Sequence, residues 1–400
     1  MKLGIDVLSE DKKIQSLLKK KRIALLGHEA SVDSELNFTL DLLCKHLKLN
    51  VVKVFGPQHG FCSDKQDDMK ESGDFLHPIY KIPVHSLYGE VRKPRDIDVQ
   101  DIDAFVIDLQ DVGCRIYTYV TTLLYVLESA AKNSKQVFVL DRPNPIGRNV
   151  EGFNLEDSMV SFVGALPGLS FRHGLTLGEL AKYFVATAKL DVDLEVIKME
   201  GWNPSDPSKA WSDGSLAWVN PSPNLPRLSS VQAFCGTVLL EGTLLSEGRG
   251  TTRPLELWGH PQAKPTVTVK KMAELCPEWM LGVKLRECHF EPTFQKHVHN
   301  LCKGFQLHCE HKSFDDHLFK PFRFFALLFK ALRLECPSIL KWKQPPYEYE
   351  HERLAIDLLS GSSLLREWVD DSTSKVEELE QALKKDEKQW EQIRRPFMIY

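Results

Sequence analysis

Polar side chains that can transfer protons or bind ligands follow four short apolar runs near the start of the chain. The polar segments are His28-Glu29, Pro57-Gln58-His59, Asp108 to Asp111 and Asp141 to Pro145. An ordinary turn needs Gly, Asn or Pro, but it does not need a carboxylate, an imidazole or a guanidinium group. The pattern therefore favours an active or binding site. The alternative is structural, with Asp108 and Asp141 capping neighbouring helices and pairing with Arg115 or Arg142.

A second polar region begins at Glu241 and reads EGTLLSEGRGTTRP, so that it contains a further carboxylate, Glu247. Its glycines let backbone N–H groups approach a ligand closely, and Arg249 can bind a carboxylate through two hydrogen bonds. A purely structural turn is the alternative. The proline-rich segment 220–226 carries Asn224, and it is either the wall of a polar pocket or a rigid connector.

Apolar periodicity predicts the elements that position these groups. We predict strands over residues 22–26, 51–55, 104–107, 137–140 and 194–197, and helices over 36–47, 117–131, 176–190 and 375–392. Thr176 and Glu179 have the spacing of a capping box. Strands that alternate with helices predict an α/β fold with a mostly parallel sheet. Ligands bind at the carboxyl ends of the strands in such sheets.

The pattern changes to mixed strands and helices after about His260. We therefore expect a first domain over residues 1–260 and a smaller mixed α+β domain over 261–400. In the second domain, Cys and His side chains are frequent between Cys288 and His311, but their spacing matches no common zinc pattern. We expect packed and surface side chains there, and no metal site.

The composition argues against several classes of function. A net charge of −4 gives no reason to expect a protein that binds nucleic acid or anionic membranes. No apolar run approaches the length of a membrane span. The absence of Gly-x-Gly-x-x-Gly after the first strand argues against a nucleotide-dependent enzyme. Residues 1–20 contain no apolar export region and the nine cysteines are scattered, so we expect a cytoplasmic protein with reduced thiols.

Several longer motifs together give the chain a family resemblance. They are Phe55 to Gly60, Pro83 to Gly89, Asp108 to Tyr119, Leu140 to Ile146, Pro221 to Asn224, Glu241 to Thr243, Ser246 to Pro254 and Pro346 to Tyr349. With these motifs the chain resembles the exo-β-N-acetylmuramidase (NamZ-like) family from about Lys21 to Tyr400. The resemblance implies a Rossmann-like catalytic domain followed by a smaller auxiliary domain. It also implies release of N-acetylmuramic acid from the non-reducing end of peptidoglycan fragments, without cofactor or metal.

The polar segments and the motifs together supply the candidate site residues. As catalytic residues we expect Gln58, His59, Asp108 and Asp111. As substrate-binding residues we expect Glu29, Arg115, Tyr117, Asp141, Arg142, Asn144, Asn224, Glu241, Glu247, Arg249 and Thr251. The expected partner is a small carbohydrate, either a muramyl sugar or a muropeptide fragment, and the oligomeric state is left open.

One position departs from the family pattern. Where family members carry a catalytic Glu, this chain has Gln58, and an amide cannot transfer a proton. Our hypothesis is a glycosidase in which His59 protonates the leaving group, while Asp108 or Asp111 orients His59 or the acetamido group of the substrate. One alternative is that His59 only binds the substrate or braces its loop. The other is a catalytically impaired carbohydrate-binding or regulatory protein.

Overall fold

The structure, a computed structural model, describes residues 1–67 and 69–400. The strands of its first half are β1 Arg22–Leu26, β2 Asn50–Gly56, β3 Phe75–Leu76, β4 Pro83–Ser86, β5 Ala104–Ile107, β6 Gln136–Leu140, β7 Glu151–Asn154, β8 Ser170–Arg172 and β9 Leu194–Ile197. Seven of them form one sheet in the order β3-β4-β2-β1-β5-β6-β9. Neighbouring strands in this sheet are parallel, except that β3 pairs antiparallel with β4. The remaining two, β7 and β8, form a separate antiparallel pair.

Burial on both faces of the large sheet explains why its central strands β1, β5 and β6 read as apolar runs. The helices of the first half are α1 Gly4–Glu10, α2 Lys12–Leu18, α3 Thr39–Asp41, α4 Asp96–Val99, α5 Tyr119–Lys132, α6 Leu177–Thr187 and α7 Lys209–Ser212. Successive side chains of a strand point to opposite faces. In β1, Ala24 and Leu26 accordingly pack into a core cluster shared with α5 and α6, whereas Ile23 and Leu25 pack into a second cluster shared with α1, α2 and α3.

The predicted α/β fold class and the mostly parallel sheet are confirmed. The capping box is also confirmed, because Thr176 Oγ1 accepts a hydrogen bond from Glu179 N (3.2 Å) and Glu179 Oε2 accepts one from Thr176 N (2.9 Å). The helix predicted over 36–47 is wrong at its start. The Asp33 carboxylate accepts hydrogen bonds from the backbone N–H groups of residues 35 and 37, which compete with helix formation. Helix α3 therefore begins at Thr39 and continues as a π-helix over Leu42–His46.

The second half of the chain is mainly helical around a small antiparallel sheet. Its elements are α8 Leu228–Thr237, β10 Leu257–His260, α9 Pro265–Leu275, β11 Lys284–Phe290, β12 Cys302–His308, α10 Pro321–Glu335, α11 Ala355–Ser360, α12 Leu364–Asp370 and α13 Val376–Arg394. The sheet order is β10-β12-β11. Residues 321–332 of α10 are all buried, and α10 packs against α8, α9 and α12. The predicted C-terminal helix is confirmed as α13, which contacts β7 of the first half.

The domain boundary that we expect at residue 260 stays a prediction. Over residues 1–67 and 69–400, no helix combines the length and the apolar character that a membrane span needs.

Candidate active site

A cleft lies where the loops after β2 and β5 meet the second half of the chain. Its walls are Gln58, His59, Ile116, Tyr117, Thr118 and Val163 from the first half, and Ser222, Leu225, Phe234, Val238, Glu241, Arg249, Leu255, Tyr347 and Glu348 from the second. Five of the predicted site residues are among them, namely Gln58, His59, Tyr117, Glu241 and Arg249. The cleft is thus at the carboxyl ends of the parallel strands, where ligands bind in this class of fold.

Gln58 connects the two halves of the cleft. Its Oε1 accepts a hydrogen bond from Thr118 Oγ1 (2.5 Å), and its Nε2 donates one to Glu348 Oε1 (3.2 Å). Rotating the amide by half a turn would place its oxygen against a carboxylate oxygen, so these two neighbours determine its orientation. Gln58 therefore donates to Glu348 as a protonated Glu would, but it has no proton to transfer.

Glu348 is a buried carboxylate of the cleft that is missing from the predicted site. Its second oxygen, Oε2, accepts a hydrogen bond from Tyr88 OH (2.7 Å). Two hydrogen-bond donors favour the ionised form of a carboxyl group. The signal for Glu348 in the sequence is the motif Pro346 to Tyr349, which lies 290 positions after Gln58 in the chain.

His59 is a neutral imidazole. Because a carbonyl oxygen can only accept, its contact with Lys65 O (2.8 Å) makes Nδ1 the protonated nitrogen and leaves Nε2 as an acceptor. Burial lowers the pKa of His59 to about 4, and the positive charge of Arg249 acts in the same direction. The structure thus gives His59 a backbone partner in place of the carboxylate that we expected from the sequence.

Glu241 is held at the cleft by a network of charged groups. It accepts hydrogen bonds from Arg249 Nη2 (2.6 Å) and Tyr347 OH (2.7 Å). Arg249 Nε also lies 3.3 Å from Glu247 Oε1, and Lys296 Nζ lies 2.8 Å from Glu247 Oε2. Burial opposes ionisation of Glu247, but the charges of Lys296 and Arg249 lower the pKa of its carboxyl group. Arg249 is therefore shared between two carboxylates of its own chain.

Asp108, Arg142 and Asp141 lie outside the cleft lining. Arg142 Nε lies 2.5 Å from Asp108 Oδ1, and the pair is fully buried. Asp141 accepts hydrogen bonds from Gly178 N (2.8 Å) and Thr176 Oγ1 (2.7 Å) at the start of α6. These contacts match the structural alternative, in which both aspartates pair or cap.

Other predicted site residues are also absent from the cleft lining, and five of them, the predicted catalytic Asp111 and four predicted substrate-binding residues, form a hydrogen bond with the backbone. These are Asp111 with Gly113 N (2.7 Å), Arg115 with Leu359 O (3.0 Å), Asn144 with Leu175 O (3.0 Å), Asn224 with Gln66 O, and Thr251 with Gly248 O (2.6 Å). Glu29 is exposed. Their role in substrate binding stays a prediction.

Side chains that bind metals do not cluster in the described part of the chain. Within it, no group of three or more His, Cys, Asp or Glu side chains is arranged to hold a metal ion. The nine cysteines are all free thiols, and seven of them are buried. In the segment from Cys288 to His311, Cys288, Cys302 and Cys309 are buried, whereas His299 is largely exposed.

Comparison with known proteins identifies the family. Residues 23–229 match the model of the N-terminal domain of exo-β-N-acetylmuramidase NamZ, and residues 232–400 match that of its C-terminal domain. The chain is 36% identical to the peptidoglycan β-N-acetylmuramidase NamZ of Bacillus subtilis, over 99% of this chain and 91% of that protein. Two crystal structures of DUF1343 family proteins from Bacteroides fragilis are similar to this chain. Each match covers 100% of this chain and 98% of the other chain. They have TM-scores of 0.84 and 0.73 at 29% and 25% identity. The chain therefore belongs to the exo-β-N-acetylmuramidase NamZ family.

Proposed function

We propose that this protein is a glycoside hydrolase that releases N-acetylmuramic acid, or a related amino sugar, from the non-reducing end of peptidoglycan fragments. Membership of the NamZ family supports the reaction and the substrate class. The observation that carries the proposal is the pair of buried carboxylates, Glu241 and Glu348, on the wall of one cleft. Hydrolysis of glycosides generally uses two carboxyl groups that flank the bond to be broken.

The cleft suits a small polar ligand. Tyr117, Phe234 and Leu255 give it apolar surface, while His59 Nε2 and Ser222 offer hydrogen bonds. We place the proposed reaction in the cytosol, on fragments rather than on the intact wall, because all nine cysteines are free thiols.

One observation favours a second candidate, a carbohydrate-binding protein without catalysis. Gln58 occupies the position at which the resemblance implies a catalytic Glu. Its side chain accepts a hydrogen bond from Thr118 and donates one to Glu348. An amide in this position preserves the contacts of a protonated carboxyl group and so preserves binding. The amide cannot, however, donate a proton to the leaving group as a carboxyl group can.

Turnover of an aryl β-glycoside of N-acetylmuramic acid by the purified protein separates the two functions. The expected result is release of the phenol, with slower release from the matching N-acetylglucosaminide, which lacks the lactyl carboxylate. Absence of turnover together with thermal stabilisation by N-acetylmuramic acid would establish the binding protein instead. If the protein shows neither turnover nor thermal stabilisation, both the hydrolase and the binding protein are contradicted.

A further inference from the structure

We infer that Glu348 is the catalytic base of this cleft and acts on the water that attacks the anomeric carbon, with Gln58 and Tyr88 as its positioning residues. This inference rests on the proposed function and assigns a role within it. It concerns a residue from the second half of the chain, whereas the family resemblance points to the position of Gln58.

The backbone around Glu348 is strained in a way that presents its side chain. Tyr347 and Glu350 exchange two backbone hydrogen bonds of 2.9 Å, which leaves Glu348 and Tyr349 as the two central residues of a tight turn. Their φ angles are 45° and 67°, both in the left-handed region. Turns of this type favour Asn-Gly, because other residues pay a steric cost for positive φ. Such strain persists mainly where the surrounding structure requires it, often at functional sites.

Each side chain of this turn has a specific place. The ring of Tyr349 packs on the guanidinium group of Arg92, and its hydroxyl donates to Glu71 Oε1 (3.1 Å). The carboxylate of Glu348 lies on the cleft wall and is almost fully buried. The turn thus brings a carboxylate from the second half of the chain to the strand-end loop that carries Gln58 and His59.

The hydrogen bonds of Glu348 select a base and not an acid. Gln58 Nε2 donates to one carboxylate oxygen and Tyr88 OH donates to the other. Both bonds are made to the ionised form and would weaken on protonation. A Glu at position 58 would instead face Glu348 with a second ionisable carboxyl group, and one proton would be shared between the two. In this chain the amide supplies a hydrogen-bond donor to Glu348 and adds no second ionisable group.

Glu348 takes a proton from a water molecule, and the water oxygen forms a bond to the anomeric carbon. The bond from that carbon to the leaving oxygen breaks, and its electron pair stays on the oxygen. An aryl leaving group departs as a phenolate, and the proton on Glu348 passes to solvent.

Azide provides the test, because this small anion can replace the water that the base activates. The substrate is an aryl β-glycoside of N-acetylmuramic acid. The expected result for Glu348→Ala is a loss of about 10²–10⁴-fold in kcat. Added azide should restore turnover and yield the α-glycosyl azide, since attack comes from the face opposite the leaving group. For the same reason the wild-type protein should first release the α-anomer of N-acetylmuramic acid, and first release of the β-anomer would make Glu348 a nucleophile and overturn the inference. Glu352→Ala is the control, because Glu352 is an exposed carboxylate of the same loop and its loss should leave kcat unchanged.

Other outcomes have distinct meanings. A β-glycosyl azide from Glu348→Ala would make Glu348 a proton donor to the leaving group and would overturn the inference, as would turnover that azide does not restore. If Glu348→Ala fails to fold, Glu348→Gln retains the shape, and a kcat within about tenfold of wild type would also overturn it. If the wild-type protein shows no turnover, the proposed hydrolase function is contradicted together with this inference.

The positioning role of Gln58 has its own readout. Because Gln58 acts through Glu348, Gln58→Ala should lower kcat more than it changes KM in the wild-type background. In the Glu348→Ala background the same substitution should have no further effect on the azide-restored rate, since the group that it positions is absent. Additive losses in the double variant would contradict this role.

Discussion

His59 differs in its chemistry from what its neighbours in the sequence suggest. Its Nδ1–H is bound to Lys65 O, and burial lowers its pKa to about 4. An imidazole with this pKa is unprotonated at neutral pH, so it can accept a hydrogen bond but is a poor proton donor. The partner of Nδ1 is thus a backbone carbonyl oxygen and neither Asp108 nor Asp111. The alternative that we named, a residue that binds substrate, agrees better with the geometry.

We predict that His59→Ala weakens substrate binding more than it slows the reaction. The loss of the hydrogen bond that Nε2 accepts from the substrate costs about 1 kcal/mol, so KM should rise by several-fold to about tenfold. The value of kcat should fall by less than the 10²–10⁴-fold that is typical of a lost general acid, about tenfold at most. Steady-state kinetics on aryl and natural substrates checks this. A large loss of kcat on natural substrates alone would restore His59 as the proton donor.

At the scale of elements, the start of α6 shows how a strand-end carboxylate serves the fold. Asp141 follows β6 and accepts hydrogen bonds from Gly178 N, Thr176 Oγ1 and Tyr400 OH. A carboxylate near the first turn of a helix compensates its unpaired N–H groups. Complete burial nevertheless raises the pKa of Asp141 to about 6, in spite of these donors.

This pKa predicts a pH dependence of stability. The pKa of Asp141 is raised above its ordinary value of 3.8, so the folded state binds the proton more tightly than the unfolded state. The resulting stabilisation is present below about pH 4 and is lost as the pH rises through 6, and it amounts to roughly 3 kcal/mol. Asp141→Asn removes the titration and keeps the shape. Its free energy of unfolding, relative to wild type, should increase between pH 4 and pH 7 in urea titrations. A constant difference would contradict the assignment.

The elements were more predictable from the sequence than the site. Strand β5 agrees with the predicted residues because both of its faces are buried, which produces an unbroken apolar run with sharp ends. The contact between Gln58 and Glu348 was not predictable, because the packing of the two halves creates it and the motif Pro346 to Tyr349 does not indicate which loop it meets. Asp108 shows a different difficulty, since a buried ion pair and a catalytic carboxylate use the same residue types.

At the scale of the whole molecule, the cysteines predict a location. None of the nine is in a disulfide, and burial raises the pKa of several of these thiols, among them Cys235 and Cys309. Thiols of this kind suit a reducing compartment. The cytosolic location that we propose predicts that cell fractionation recovers the protein in the cytosol. Recovery mainly in the envelope would contradict this and would make intact cell wall the accessible substrate.

The cleft joins residues that lie far apart in the chain. Gln58 and Glu348 are 290 positions apart, and each contributes to one wall. At ordinary rates of synthesis the ribosome adds that many residues in about 15–60 s. During this interval the growing polypeptide already carries the strand-end loop with Gln58 and His59, but it lacks the turn that completes the cleft. A nascent chain therefore has no functional pocket, and the activity begins only after the turn that carries Glu348 has left the ribosome.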